Sequence, residues 1–253
     1  KYKAGGFKLL KPLSTEFDKA FNNLQAQTGA TAEEMKELEE SAKNVYKANL
    51  GESMEDVANS MALVKQQTNL TGKELEDVTS NALLMRDTFG FEVNESIRAV
   101  NSMMNQFGIS ADDAYKLIAQ GAQNGLNQNG DLMDVINEYS TQFADAGYSA
   151  EDMFNMLNNG AEAGTWSVDK LGDAIKEYNI RMSDGTASEA LTQLGLNADE
   201  VTAKFGKGGA SAQEATASII EALKGVEDEQ ERYKLGQEIM GTMWEDLGEE
   251  AVY

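Results

Sequence analysis

Apolar residues recur three and four positions apart along most of the chain, which is the spacing of one face of an α-helix. The most regular stripe consists of Leu132, Val135, Ile136, Tyr139 and Phe143. Proline occurs once in 253 residues, whereas the strong helix formers Ala, Leu, Met, Glu, Gln and Lys are abundant. The pattern therefore predicts an all-α fold.

The chain contains one helical pattern written twice, 39 residues apart. Residues 108–139 and 147–178 are identical at 12 of 32 aligned positions. The same register continues backwards, so we predict four units near 29–68, 69–107, 108–146 and 147–180. A period of about 20–50 residues is typical of stacked supersecondary units. We expect each unit to be a helical hairpin that buries its apolar stripe against its neighbours.

Each predicted unit opens on a serine or threonine that can cap a helix. Thr31 with Glu34 and Thr71 with Glu74 both have the spacing of a capping box. Ser110 and Ser149 are each followed by aspartate three residues later. These caps predict where the first helix of every unit begins.

The two ends of the chain depart from the repeat. Within residues 1–28, a loop is predicted at 1–13, which contains Pro12, and then a first helix from Ser14 to about Gln27. Residues 181–253 are predicted to form a small helical companion subdomain that begins with a loop at 183–186. Within the last unit, Gly160 and Gly164 are predicted to end one helix and Ser167 to cap the next. In the first unit, Tyr46 is predicted to face inward.

The composition limits the chemistry that the chain can perform. Cysteine and histidine are both absent, so thiol chemistry, the commonest general base and the commonest metal ligand are missing. The net charge of −22 repels phosphates and favours basic partner surfaces. We therefore expect no direct nucleic-acid binding. No apolar run approaches the roughly 18 residues of a membrane span, and the absence of a signal-peptide pattern at Lys1 suggests a fragment of a longer protein.

One acidic residue could be interpreted as catalytic. Glu95-Ser96, followed about 30 residues later by Gly125-Leu126-Asn127-Gln128, superficially resembles the lone acid and the groove of lytic transglycosylases. In the repeat register, however, Glu95 aligns with Asp134 and Asp173, which indicates an acidic residue favoured at a helix start by the helix dipole. We therefore interpret Glu95 as structural.

The remaining candidate sites also have simpler explanations. Three acidic pairs lack the calcium-loop spacing and are better explained as acidic first turns of helices: Asp112-Asp113, Glu151-Asp152 and Asp199-Glu200. Lys207-Gly208-Gly209 lacks the rest of a phosphate loop. The methionines fall mostly on apolar stripes and are predicted to fill the core, with a groove for a partner helix as the alternative. The sequence thus predicts no catalytic, cofactor-binding or metal-binding residue.

The C-terminal region resembles a known family. Residues 225–248, which end in Gly241-Thr-Met-Trp-Glu-Asp-Leu-Gly248, resemble the tape measure proteins of long-tailed bacteriophages and prophages, in which such a segment closes a minor-tail core domain. Residues 194–201 and 219–223 resemble the same domain, so the likeness covers about 28–253. Members of that family are far longer and carry coiled-coil and apolar segments that this chain lacks.

The resemblance implies a structural protein that sets tail length, takes part in tail assembly and leaves the particle ahead of the DNA. The implied partners are other copies of the chain, tail tube and tail tip proteins and tail assembly chaperones. The implied location is the lumen of the virion tail, and the host cytoplasm during assembly. A peptidoglycan-degrading tail domain and a generic helical-repeat binding scaffold are the alternatives.

Overall fold

The computed structural model describes residues 3–162 and 167–247, which form fourteen α-helices and no strand. The all-α prediction is therefore confirmed. The helices are α1 (Lys3–Thr28), α2 (Ala32–Lys47), α3 (Met54–Thr68), α4 (Gly72–Phe89), α5 (Val93–Phe107), α6 (Ala111–Gln123), α7 (Leu132–Asp145), α8 (Ala150–Glu162), α9 (Val168–Asp184), α10 (Ser188–Gln193), α11 (Ala198–Phe205), α12 (Gly209–Lys224), α13 (Glu229–Met240) and α14 (Thr242–Leu247).

The helix boundaries follow the repeat that the sequence predicts. The first helices of the four units, α2, α4, α6 and α8, begin directly after Thr31, Thr71, Ser110 and Ser149. These caps are separated by 40, 39 and 39 residues. Equivalent helices of successive units also pack on each other, since α2 contacts α4, α6 contacts α8 and α7 contacts α9. The prediction of helical hairpins with a period of about 39 residues is confirmed.

The chain divides into two compact units, residues 1–101 and 102–253, and the division falls within α5. In the first compact unit, residues 1–101, α1 packs on α3, and α2, α3 and α4 pack on one another. The Arg86 guanidinium on α4 binds both carboxylate oxygens of Asp56, at 2.8 and 2.9 Å, in the first turn of α3. Such a bidentate pair fixes the angle between the two helices as well as joining them.

In the second unit, α9 is the element on which most of the others pack. It contacts α7, α8, α11, α13 and α14. Its Tyr178 is fully buried and its hydroxyl lies 3.0 Å from the Thr216 hydroxyl on α12, which in turn donates to the Ala146 carbonyl at 3.2 Å. Helix α12 packs directly against the turn between α7 and α8. A Cβ on Gly147 in that turn, whose φ is +85°, would lie 2.2 Å from the Gln213 backbone nitrogen. The C-terminal helices are thus built onto the last hairpin.

The structure corrects the prediction at the N-terminus. Helix α1 begins at Lys3, whereas a loop was predicted for 1–13. Phe7, Leu10 and Leu13 continue the apolar spacing of Phe17 and Phe21, so the helical period extends upstream of Ser14. Pro12 lies within α1, where it has no N–H to donate to the preceding turn.

Two further predictions are wrong, namely the capping box at Thr71 and the helix end at Gly160. Thr71 precedes α4 as predicted, but its side chain makes no capping hydrogen bond. Gly72, the first residue of α4, has a φ of +58°, so the backbone turns differently from the complete capping box formed by Thr31 and Glu34. Helix α8 continues through the buried Gly160 to Glu162, and Gly164 lies outside the described residues.

The remaining corrections concern Tyr46 and the 183–186 loop. Tyr46 is exposed, because the neighbouring Val45 occupies the inward position and a helix turns about 100° per residue. The Tyr46 ring instead packs edge-on against Phe17, with centroids 5.8 Å apart. Ser183 and Asp184 belong to α9, which ends at a left-handed Gly185. The predicted domain limits at 28 and 180 stay a prediction.

Helices α7 and α9 approach each other through a glycine. A Cβ built on Gly172 would lie 2.1 Å from Cδ2 of Tyr139, so only glycine leaves room for that ring. The Tyr139 hydroxyl then donates to Asp173 at 2.7 Å. Asp173 is therefore a partner of Tyr139 in the second turn of α9, and the helix-start interpretation does not hold for it because α9 begins one turn earlier, at Val168.

We predict that Gly172→Ala lowers the free energy of unfolding by about 1–3 kcal/mol, the usual cost of overpacking. Gly206→Ala is the matched control, because Gly206 is exposed, has an ordinary negative φ and has no neighbour closer than 3.4 Å to its built Cβ. It should change the free energy by no more than about 0.5 kcal/mol. Urea unfolding followed by circular dichroism measures both. Equal urea midpoints for the two variants would contradict the close approach of the Tyr139 ring to Gly172.

Candidate functional site

The motif that begins at Gly241 lies where α13 and α14 pack against α9. Gly241 ends α13 with a φ of +60°. A Cβ at this position would lie 2.5 Å from Oε1 of Glu177 and 2.6 Å from Nε of Arg181. The backbone conformation favours glycine here, and a side chain at this position would displace the Glu177 carboxylate and the Arg181 guanidinium.

Glu177 and Arg181, one turn apart on α9, hold the junction between the two C-terminal helices. Oε2 of Glu177 accepts hydrogen bonds from the backbone nitrogen of Thr242, at 3.1 Å, and from its hydroxyl. Oε1 of Glu177 accepts from Arg181 Nε at 3.0 Å, and Arg181 Nη1 donates to the Glu238 carbonyl at 3.1 Å. A carboxylate from α9 thus caps the first turn of α14, and the guanidinium satisfies a carbonyl near the end of α13.

These hydrogen bonds determine the ionisation of Glu177. Burial alone would raise the pKa of its carboxyl, but the two bonds from Thr242 and the neighbouring Arg181 outweigh burial and lower the pKa below its usual value. Glu177 is therefore held in the charged form that the cap requires.

Trp244 fills the space behind this junction. Its side chain is 1% exposed, and the adjacent Met243 is fully buried. A Cβ on Gly236 of α13 would lie 2.1 Å from Cε2 of the indole, so Gly236 admits the ring against the α13 backbone. Gly236, Gly241, Thr242 and Trp244 together form a packing motif that binds α13 and α14 to the last hairpin.

The structure places the candidate catalytic residue in solvent. Glu95 is exposed in the first turn of α5, rather than in the enclosed apolar pocket that a lone catalytic acid needs. The following Ser96 is buried and its hydroxyl donates to the Val93 carbonyl at 3.1 Å. The exposed Glu95 and the hydrogen bond of Ser96 are both typical of a helix start.

The other candidate sites have the structural roles predicted for them. The three acidic pairs lie in the first turns of α6, α8 and α11. No group of three or more acidic residues suited to a metal ion is found in the described parts of the chain. Lys207 and Gly208 form the turn before α12. Seven of the eight methionines between residues 54 and 156 are buried, which favours core filling over an open groove. The seven are Met54, Met61, Met85, Met103, Met133, Met153 and Met156.

The family of phage-related minor tail proteins matches residues 47–241. This range begins at the end of α2, contains the second helix of the first hairpin and the other three hairpins, and reaches Gly241 of the C-terminal motif. The chain belongs to the phage-related minor tail protein family. The resemblance read from the C-terminal motif and the repeats is confirmed.

Two curated relatives extend this result. The chain is 39% identical over 169 residues to the probable tape measure protein of Streptomyces phage phiC31, covering 66% of this chain and 23% of that protein. It is also 39% identical over 201 residues to the uncharacterized protein YqbO of Bacillus subtilis strain 168, covering 78% of this chain and 13% of that protein. The chain thus spans less than a quarter of the length of either relative. No solved structure matches it.

Sequence reasoning did not identify the junction at Glu177. The repeat register pairs Glu177 with Glu138, which is exposed, so the register indicates a surface residue. The available signal was the spacing of Glu177 and Arg181, four residues apart, which is the separation of a helical ion pair. That spacing does not reveal Thr242, 65 residues further along the chain.

We predict that acid weakens the junction through Glu177. Because its folded-state pKa is lowered, ionised Glu177 stabilises the fold above the unfolded-state pKa of about 4.3. This contribution is lost as the pH falls through the folded-state value. Glu177→Gln should therefore be less stable than the parent at pH 7, and its stability should fall less steeply between about pH 5 and pH 3.

The free energy of unfolding at each pH is measured by urea unfolding followed by the fluorescence of Trp244. The variants are made in a Trp166→Phe background so that Trp244 is the one tryptophan that contributes to the signal. Glu138→Gln is the control, because it removes an exposed carboxylate at the equivalent position of the preceding unit. The free energy of unfolding of Glu138→Gln should depend on pH as steeply as that of the parent. A Glu177→Gln slope equal to the parent's would show that Glu177 does not hold the junction.

Proposed function

We propose that this chain is the hairpin-repeat part of a tape measure protein, and that it acts structurally in phage tail assembly, tail length determination and genome ejection. The observation that carries the proposal is the 39% identity over 169 residues to a probable tape measure protein. The family match over 47–241 supports it. The exposure of Glu95 and the packing role of the C-terminal motif favour a structural over a catalytic role.

The proposed partners are other copies of the chain, tail tube and tail tip proteins, and tail assembly chaperones. The proposed location is the lumen of the tail, preceded by the host cytoplasm during assembly.

The net charge of −22 supports a chain that does not bind DNA directly and that incoming DNA displaces by repulsion. Slower DNA release from a phage whose chain is charge-neutralised would support this role in ejection, and equal kinetics would contradict it. No helix in the described residues is long and apolar enough to cross a membrane.

Deleting one repeat from the full-length parent protein tests the role in length determination. Removal of 108–146 leaves the next unit in register, and if this region lies stretched as helix in the tail tube, 39 residues at 1.5 Å per residue correspond to about 60 Å. We expect tails shorter by about that length in electron micrographs. A phage that carries Glu138→Gln in the same protein is the control and should have tails of parental length. Tails of unchanged length in the deletion phage would contradict the proposal.

A further inference from the structure

Helix α8 presents a polar face with a cleft on each side. One cleft, of about 340 Å³, lies between α8 and α12 and includes Tyr148, Asn159 and Gln213. The other, of about 310 Å³, lies between α6 and α8 and includes Asn158. Asn155 lines both clefts, so they form one continuous surface across α8. We call this surface the α8 face.

Carboxamide side chains dominate the α8 face. Its members are Gln120, Gln123, Asn124, Asn155, Asn158, Asn159 and Gln213. Each carboxamide carries both a hydrogen-bond donor and an acceptor. This chemistry matches the N–H and C=O groups of a polypeptide main chain, which alternate in the same way.

Two buried polar atoms at the α8 face have no partner among the described residues. They are the hydroxyl of Tyr148 and the side-chain oxygen of Asn158. Burial, and secondarily the charge of Asp152, raise the pKa of the Tyr148 hydroxyl, which keeps it protonated and able to donate. A buried polar group without a hydrogen-bond partner destabilises the structure that holds it, so a ligand that reaches these two atoms gains from satisfying them.

The charged residues that line the α8 face, Glu151 and Asp152, are both acidic. Residues 117–169 contain eight aspartates and glutamates and no lysine or arginine. Residues 102–253 carry 9 basic against 27 acidic residues, so this part of the chain holds −18 of the net −22. Such a field attracts a cationic segment and repels nucleic acid and anionic glycans.

The α8 face lacks the exposed aromatic platform on which a sugar ring would stack. Phe154 lines one cleft but is only 3% exposed. The ring of Tyr148 packs edge-on against Phe143, with centroids 6.2 Å apart. The row from Glu151 to Asn159 rises about 12 Å along α8, which is the length of about four extended residues.

We propose that the α8 face binds an extended, positively charged polypeptide segment of a partner protein. The carboxamides bond its main chain, and the surrounding carboxylates attract its lysine or arginine side chains. Because main-chain bonding dominates, the face selects for extension and charge rather than for one sequence. The binding follows from the α8 face alone and does not depend on whether the chain sets tail length.

Fluorescence polarisation with a labelled octapeptide of alternating serine and lysine tests the proposal. We expect saturable binding to the purified chain, and about tenfold weaker binding to the Asn155→Ala, Asn159→Ala double variant, because two hydrogen bonds of ordinary strength are lost. Both asparagines are exposed, so their removal leaves the core intact. Circular dichroism of the variant checks the fold.

Asn105→Ala with Gln106→Ala is the matched control, since it removes two exposed carboxamides from α5 and should leave the affinity unchanged. An octapeptide of alternating serine and glutamate should not bind. Equal binding of the lysine peptide to parent and double variant would overturn the proposal, because the attraction would then be diffuse. Absence of lysine-peptide binding, or preferential binding of the N-acetylglucosamine tetramer, would overturn it as well.

Discussion

Helix α9 is the constraint on which the second compact unit depends. It closes the last hairpin against α7, and the same helix receives α11, α13 and α14. Three of its residues make these contacts possible by different means. Gly172 admits the Tyr139 ring, Tyr178 forms the buried hydroxyl pair with Thr216, and Glu177 caps α14. The last hairpin and the C-terminal helices are therefore packed together within the second compact unit.

Carboxylates have two different roles in this unit. At the half-buried junction between α9 and α14, the Glu177 carboxylate is paired with Thr242 and Arg181 and is held charged where α14 begins. Outside, acidic residues gather at the first turns of helices, where the helix dipole favours them, and the long segment without lysine or arginine leaves their charge uncompensated. The second unit thus carries a large excess of acidic over basic residues, which supports the proposal of a cationic partner.

The fold could be predicted from the sequence to the extent that local rules determine it. Caps at Thr31, Ser110 and Ser167 mark helix starts because the bonds involved span only three residues. Long-range contacts left no such signal. Gly172 and Gly236 look like weak points within helices, yet each makes room for an aromatic ring from another helix. The asparagines of α8 look like an ordinary solvated face until α6 and α12 pack beside them and create the clefts.

The central claim is that Glu177 on the last hairpin and Thr242 at the start of α14 bind the C-terminal region to the repeats. A double-mutant cycle of Glu177→Gln and Thr242→Ala, measured by urea unfolding at pH 7, tests it most directly. Residues that share a hydrogen-bond network show coupling of about 0.5–3 kcal/mol. We predict coupling of at least about 1 kcal/mol, near the net value of one hydrogen bond. Additivity within about 0.3–0.5 kcal/mol, as for independent sites, would contradict the account.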